Sequence, residues 1–105
     1  MDKKKDIIKK LKIFRGMVHK EIPIDKLIFF GSFVKGNPHK WSDIDLVIVS
    51  SKFKRKKTYK RARKLYDYWT LNYPVDFLCY TPQEFNKLKK QITIVREAVK
   101  EGVEI

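Results

Sequence analysis

Three carboxylates and one Gly-Ser step carry the chemistry available to this sequence. Asp43 and Asp45 are two residues apart at the entrance to the apolar run Ile44 to Val49. Alternate strand residues project from one face, so both carboxylates can point at the same spot. Held together away from bulk water, two such charges raise one another's pKa unless a cation neutralises them, which makes hard-cation binding the natural reason for the pair. Mg²⁺ suits best, because carboxylate and phosphate oxygens together complete its octahedral shell. Asp76 stands between Val75 and Phe77 near the start of another apolar run, an odd place for a carboxylate unless it faces something polar. If the two strands are neighbours, three carboxylates can hold two Mg²⁺ ions roughly 3.5–4 Å apart, the arrangement that stabilises attacking and leaving oxygens in phosphoryl transfer. The plainer reading of Asp76 is a turn cap after Pro74.

The turn at Gly31-Ser32 ends an apolar run and leads into Phe33-Val34-Lys35-Gly36, read as one short helical turn. Gly31 lets backbone approach a ligand closely, and exposed amides with the Ser32 hydroxyl are placed to hydrogen-bond the terminal phosphates of a nucleotide. Lys35 is either a phosphate contact or a solvated charge. Ser42 reads as a turn residue that orients the carboxylates. Trp41 is a candidate for stacking on a base, although packing over a sheet is the commoner fate of such a residue. His19 and His39 lack metal-ligand spacing and are assigned to the surface. Cys79, the single cysteine, reads as an ordinary strand residue and excludes an intrachain disulfide or a cysteine-rich zinc site.

The elements that must position these residues follow from periodicity. Ile7, Ile8, Leu11, Phe14, Met17 and Val18 form a helical stripe, predicting a helix from Asp2 to about Lys20. Lys26 to Phe30 reads as a buried strand, residues 36–42 as a loop, and Ile44 to Val49 as a second strand. Lys52 to Lys64 holds nine basic residues and no acid. It is expected to run into a helix whose Tyr59, Ala62, Leu65, Tyr66 and Trp69 make an aromatic inner face under a basic outer one. Pro74 to Tyr80 is the third strand. Thr81-Pro82-Gln83-Glu84 is a helix start, with Thr81 as cap and Glu84 closing a capping box. The helical pattern loosens near Gln91, resumes through Val95, Ala98 and Val99, and stops at Gly102, leaving Val103 to Ile105 as a short last strand. Helices alternating with strands imply an α/β or α+β fold, a small mixed sheet flanked by helices, whose strand order the pattern leaves open.

The chain of 105 residues is the size of one compact domain, so residues 1–105 are read as a single unit. Apolar residues make up 43%, enough for a core despite the charge. No run approaches the ~18 apolar residues of a membrane span and the N-terminus lacks a signal-peptide pattern, so a cytoplasmic location is expected. The formal charge of +13 favours nucleotides, nucleic acid or an acidic partner without choosing among them.

Gly31-Ser32, ten intervening residues and then Asp43-x-Asp45, with an apolar strand before and Leu46-Val47-Ile48-Val49 after, resembles the DNA polymerase beta superfamily of nucleotidyltransferases. The similarity is closest to the minimal nucleotidyltransferases of prokaryotes, often encoded beside a helical HEPN-type ribonuclease partner, and extends from about Leu27 to Gly102. The resemblance implies the polymerase beta-like palm fold. It implies that Gly31 and Ser32 bind triphosphate, that Asp43 and Asp45 bind both metals, and that Asp76 completes the metal that activates the attacking hydroxyl, with Asp76 also the candidate general base. The implied reaction is Mg²⁺-dependent transfer of a nucleoside monophosphate from an NTP, ATP first among them, to a hydroxyl. A tyrosine on a HEPN-type partner, in a toxin–antitoxin pair, is the first candidate acceptor. RNA ends are the alternative, and an antitoxin acting by contact alone is a third. Many relatives carry Arg-Ala-Arg-Gly after the Gly-Ser, whereas this chain has Phe33-Val34-Lys35-Gly36, which implies fewer phosphate contacts. Larger members append a helical domain that helps hold base and acceptor; its counterpart here is expected from a partner subunit, in a hetero- or homo-oligomer.

Overall fold

The computed structural model describes residues 3–38 and 42–105; the readings of Asp2, His39 and Trp41 fall outside them. Helix α1 (Lys3–His19) buries Ile7, Leu11, Phe14 and Val18, the stripe expected from three- and four-residue spacing. Met17 is left largely exposed, because at 3.6 residues per turn it lies about 90° from the centre of that stripe. His19 is exposed, and its Nδ1 accepts the Ile24 N–H at 2.9 Å, closing the turn into the first strand.

Strand β1 (Lys26–Phe30), helix α2 (Ser32–Lys35) and strand β2 (Ile44–Val49) follow. Helix α3 (Arg63–Tyr68), strand β3 (Val75–Tyr80), helices α4 (Pro82–Leu88) and α5 (Ile94–Glu101) and the short strand β4 (Val103–Glu104) complete the order. The sheet runs β3-β2-β1-β4, with β2 and β3 parallel and the other two pairs antiparallel. Side-chain alternation divides β2 between two cores. Ile44, Leu46 and Ile48 pack with α1, Phe53 and Leu65 on one face, while Val47 and Val49 meet Ile28, Phe30, Phe85, Val95 and Ala98 on the other. Both faces are covered, giving the mixed sheet flanked by helices that the pattern implied. Phe14, Trp69 and Phe77 lock the larger core, with ring centroids 5.2–5.9 Å apart. Among the described residues no helix is long and apolar enough to cross a membrane.

The segment from Lys52 to Lys64 departs from expectation. It forms two short 3-10 turns, Ser51–Arg55 and Thr58–Lys60, and becomes α-helical only at Arg63. A continuous helix would stack its cations three and four residues apart, where like charges repel. Tyr59 is 68% exposed instead of lining an inner face, and Tyr66, although half exposed, sets its ring edge-on to Phe77 at 5.0 Å. The segment is pinned by Phe53, which is fully buried, and by Arg61, the one buried cation of the run. Arg61 donates from Nε to the Lys56 carbonyl at 3.2 Å and from Nη1 to the Cys79 carbonyl at 3.3 Å, and forks onto both carboxylate oxygens of Glu84.

Glu84 also closes the expected capping box, accepting the Thr81 N–H at 2.8 Å while its own N–H donates to the Thr81 hydroxyl at 3.2 Å. The Arg61 guanidinium foremost holds the Glu84 carboxyl below the ordinary carboxylate range, against a smaller opposing effect of burial. Glu84→Ala is expected to cost about 2–4 kcal/mol in urea unfolding, because it strips a helix cap and leaves a buried guanidinium without its counter-charge. A depressed carboxyl stabilises above its unfolded pKa, and that contribution is lost as pH falls through the lower folded value. The stability gap between wild type and Glu84→Ala should therefore close in acid. A gap that stayed constant with pH would show that the ion pair contributes nothing.

Candidate active site

Strand register brings the candidate residues together. In the antiparallel β1–β2 pair Phe30 faces Asp45, so the next residue, Gly31, turns away beside the Asp45 carboxylate. Gly31 has φ 92° and ψ −160°, a conformation essentially confined to glycine. A Cβ there would overlap Asp45 Oδ2 and lie 3.1 Å from Asp45 Cγ. The missing side chain is thus what lets backbone and carboxylate share this corner.

In the parallel β2–β3 pair Asp45 is aligned with Asp76. Neighbouring strands lie about 4.8 Å apart and aligned residues project from the same face, so both carboxylates stand side by side. Asp43, two residues earlier, is near enough for its charge to act on Asp45. Asp43 and Asp76 are exposed and Asp45 is half-buried. Burial raises the Asp45 pKa above the ordinary carboxylate value, and the charges of Asp76 and then Asp43 push it further. Hard oxygen donors that repel one another across a half-buried corner suit a divalent cation such as Mg²⁺. Among the described residues no three His, Cys, Asp or Glu side chains form a ready cage, so a bound ion would draw further ligands from water or phosphate oxygens, as Mg²⁺ characteristically does.

Helix α2 begins at Ser32, half-buried, with Gly31 at its cap and no side-chain oxygen capping it. The Val34 and Lys35 amides bond back to the Gly31 carbonyl at 3.1 and 3.0 Å, while the Ser32 and Phe33 amides head the turn and have no acceptor within it. Gly36, at φ 82°, ends the helix in the left-handed conformation. Buried Phe33 sets its ring edge-on to Tyr73 at 5.4 Å, tying the turn to the segment just before Asp76.

Lys35 is exposed and its Nζ lies 3.2 Å from a Glu97 oxygen and 3.1 Å from a Glu101 oxygen, both on α5. Hydrogen bonds to Glu101 and then Glu97 raise its pKa. In this arrangement it straps α2 to α5, a pairing the sequence signals only as two glutamates one turn apart. Ser42 is buried immediately before Asp43. Cys79 is buried and its thiol pKa is pushed up to about 12 by burial, as an inert strand residue should be. Sequence reading also missed that Leu78 and Tyr80 continue the Asp76 face along the edge strand, both half-buried. Burial, with smaller effects of Cys79, Glu84 and Asp76, raises the Tyr80 hydroxyl pKa.

The fold has a solved counterpart. A crystal structure from Sulfolobus solfataricus, provisionally described as a nucleotidyltransferase, superposes with a TM-score of 0.67 at 20% identity, covering 96% of this chain and 80% of the other. Among curated proteins none matches by sequence. The model of the nucleotidyltransferase domain matches residues 7–102, which include the Gly31-Ser32 turn and all three aspartates. The chain therefore belongs to the nucleotidyltransferase domain family.

Proposed function

We propose that this protein transfers a nucleoside monophosphate, AMP from ATP, to a hydroxyl acceptor, a tyrosine of a HEPN-type partner in the cytoplasm. The observation that carries the reading is the corner where Gly31 abuts Asp45 and Asp45 is aligned with Asp76. The corner joins three chain segments, and this reading assigns phosphate to the backbone turn and the metal to the carboxylates.

In this reading the Ser32 and Phe33 amides and the Ser32 hydroxyl hold the β- and γ-phosphates. Lys35 contributes a charge once it exchanges its glutamates for phosphate. Asp76, on an exposed strand end, accepts the acceptor hydroxyl proton; the acceptor oxygen bonds to the α-phosphorus, and the bond from that phosphorus to the bridging oxygen breaks, releasing pyrophosphate. Mg²⁺ bound by Asp43, Asp45 and Asp76 would supply neutralisation of the phosphate oxygens and of the leaving pyrophosphate. The side chains orient nucleotide and acceptor in line, and positioning with electrostatic stabilisation is most of what phosphoryl transfer requires.

The test incubates the protein with ATP labelled at the α-phosphate, Mg²⁺ and a HEPN-type partner. Label should appear on the partner and be lost with its acceptor tyrosine. Undiminished labelling by the Asp43→Asn/Asp45→Asn protein would remove both residues from the mechanism. Label on RNA without any protein acceptor would favour the second reading, transfer to RNA ends, which the exposed cations of residues 52–64 motivate. Full neutralisation of the partner by the double mutant would favour action by contact.

A further inference from the structure

The basic segment lies at the opposite end of the sheet from the carboxylates. Asp45 is near the start of β2 and Val49 is its last residue, so four residues, about 13 Å, separate the catalytic corner from the strand end where the segment begins. Eight of its nine cations are exposed, and only Lys64 meets a carboxylate among the described residues, Glu21 at 3.6 Å. The ninth, Arg61, is withdrawn into the Glu84 clamp. The surface therefore presents seven unneutralised cations far from the triphosphate turn.

Its shape is fixed. The Ser50 hydroxyl accepts the Lys52 N–H at 3.2 Å, Phe53 anchors the first turn in the core, and Arg61 ties the second to the Lys56 and Cys79 carbonyls. Between these pins Tyr59 stands 68% exposed, with the Lys60 ammonium 5.8 Å from its ring centroid. An exposed aromatic ring among cations is the composition of a single-strand platform, where phosphates meet the charges and a base stacks on the ring. Six of the eight exposed cations are lysine, a residue depleted from protein–protein interfaces, which favours a phosphate polymer over an acidic protein.

We propose that residues 52–63, with Tyr59 at their centre, form a docking surface for single-stranded RNA that is separate from the nucleotide site. Docking here holds the strand by its backbone without sequence preference, at the end of the sheet away from Asp45. It is independent of whether nucleotidyl transfer is directed at protein or RNA.

The experiment is fluorescence anisotropy with a fluorescein-labelled 20-nucleotide oligouridine at a series of KCl concentrations. Wild type should bind at 50 mM KCl, with log affinity falling linearly against log salt. Lys54→Glu/Arg55→Glu/Lys57→Glu should weaken binding at least thirtyfold and flatten the slope by about 2, at roughly 0.7 per phosphate contact. The neutral glutamine triple at the same positions should give an intermediate loss. Tyr59→Ala should weaken binding about fivefold or more while leaving the slope unchanged. Lys3→Glu/Lys9→Glu/Lys12→Glu on α1 should stay within threefold of wild type. Asp43→Asn/Asp45→Asn should bind RNA undiminished, so a failed transfer assay leaves this result standing. Absence of binding at 50 mM KCl, or an equal loss from the α1 triple, would overturn the proposal. Displacement by polyglutamate at equal charge, with no effect of Tyr59→Ala, would reassign the surface to an acidic protein.

Discussion

Asp45→Asn is expected to cut nucleotidyl transfer about a thousandfold or more while raising the melting temperature of the ligand-free protein. The two effects share one cause. Asp45 is half-buried with Gly31 against it, and burial, followed by the charges of Asp76 and Asp43, raises its pKa. Its ionised form therefore opposes folding while nothing neutralises it. Asparagine keeps the shape and removes the charge. Solvent screening at a partly exposed site keeps the gain to under about 1 kcal/mol, at most roughly 4–8 °C in a domain of this size. The sign follows from linkage: with the folded pKa raised, stability falls as pH rises from the unfolded value through the folded one, so the advantage of asparagine should be present at pH 7 and fade in acid. On the proposed function activity goes the other way, since losing a carboxylate assigned to the metal would remove several kcal/mol of transition-state stabilisation at about 1.4 kcal/mol per tenfold in rate. Mg²⁺ or Mn²⁺ with a non-hydrolysable ATP analogue should raise the wild-type melting temperature and leave Asp45→Asn nearly unmoved. Differential scanning fluorimetry beside the labelled-ATP assay reads all of this. An asparagine variant that melts earlier than wild type without ligand would show that Asp45 is stabilising, and the functional reading of its charge would fail.

Gly31→Ala should lower stability by about 2–6 kcal/mol and remove nearly all transfer. At φ 92° and ψ −160° the backbone sits where a side chain costs about 1–3 kcal/mol. The added carbon also drives into the Asp45 carboxylate. Overpacking adds a similar amount, and relief by moving Asp45 would displace the very group the site needs. A cycle of Gly31→Ala, Asp45→Ala and the double variant separates the terms by urea unfolding. Removing the carboxylate should return the overlap part of the loss and leave the backbone part. Additive losses would mean that the two residues do not touch, and a Gly31→Ala protein within 2 °C of wild type with normal transfer would dismiss the corner as a designed contact.

Local chemistry wrote much of this protein plainly. The α1 stripe, the apolar runs of β1 and β2, the Thr81–Glu84 capping box and the stop at Gly102 were legible because periodicity and capping act within a few residues. The spacing of Gly31-Ser32 and Asp43-x-Asp45 was legible for the same reason, since a strand, a turn and a strand form one hairpin-like unit. Whether Asp76 joins them was undecided by any local rule. It depends on β3 pairing parallel to β2 in the register that sets Asp76 beside Asp45, a choice made by the crossover through α3 and by which faces of both strands are buried. Long-range charge pairing likewise decided that Arg61 turns inward to Glu84 while its eight neighbours stay outside, and that Lys35 reaches across to α5. The basic run read as a helix because its spacing permits one; mutual repulsion and the two buried anchors, visible only in three dimensions, made it a bracketed surface instead. The sequence alone determined which groups could do chemistry, and the tertiary structure decided which of them meet, because burial and strand register are properties of segments far apart in the chain.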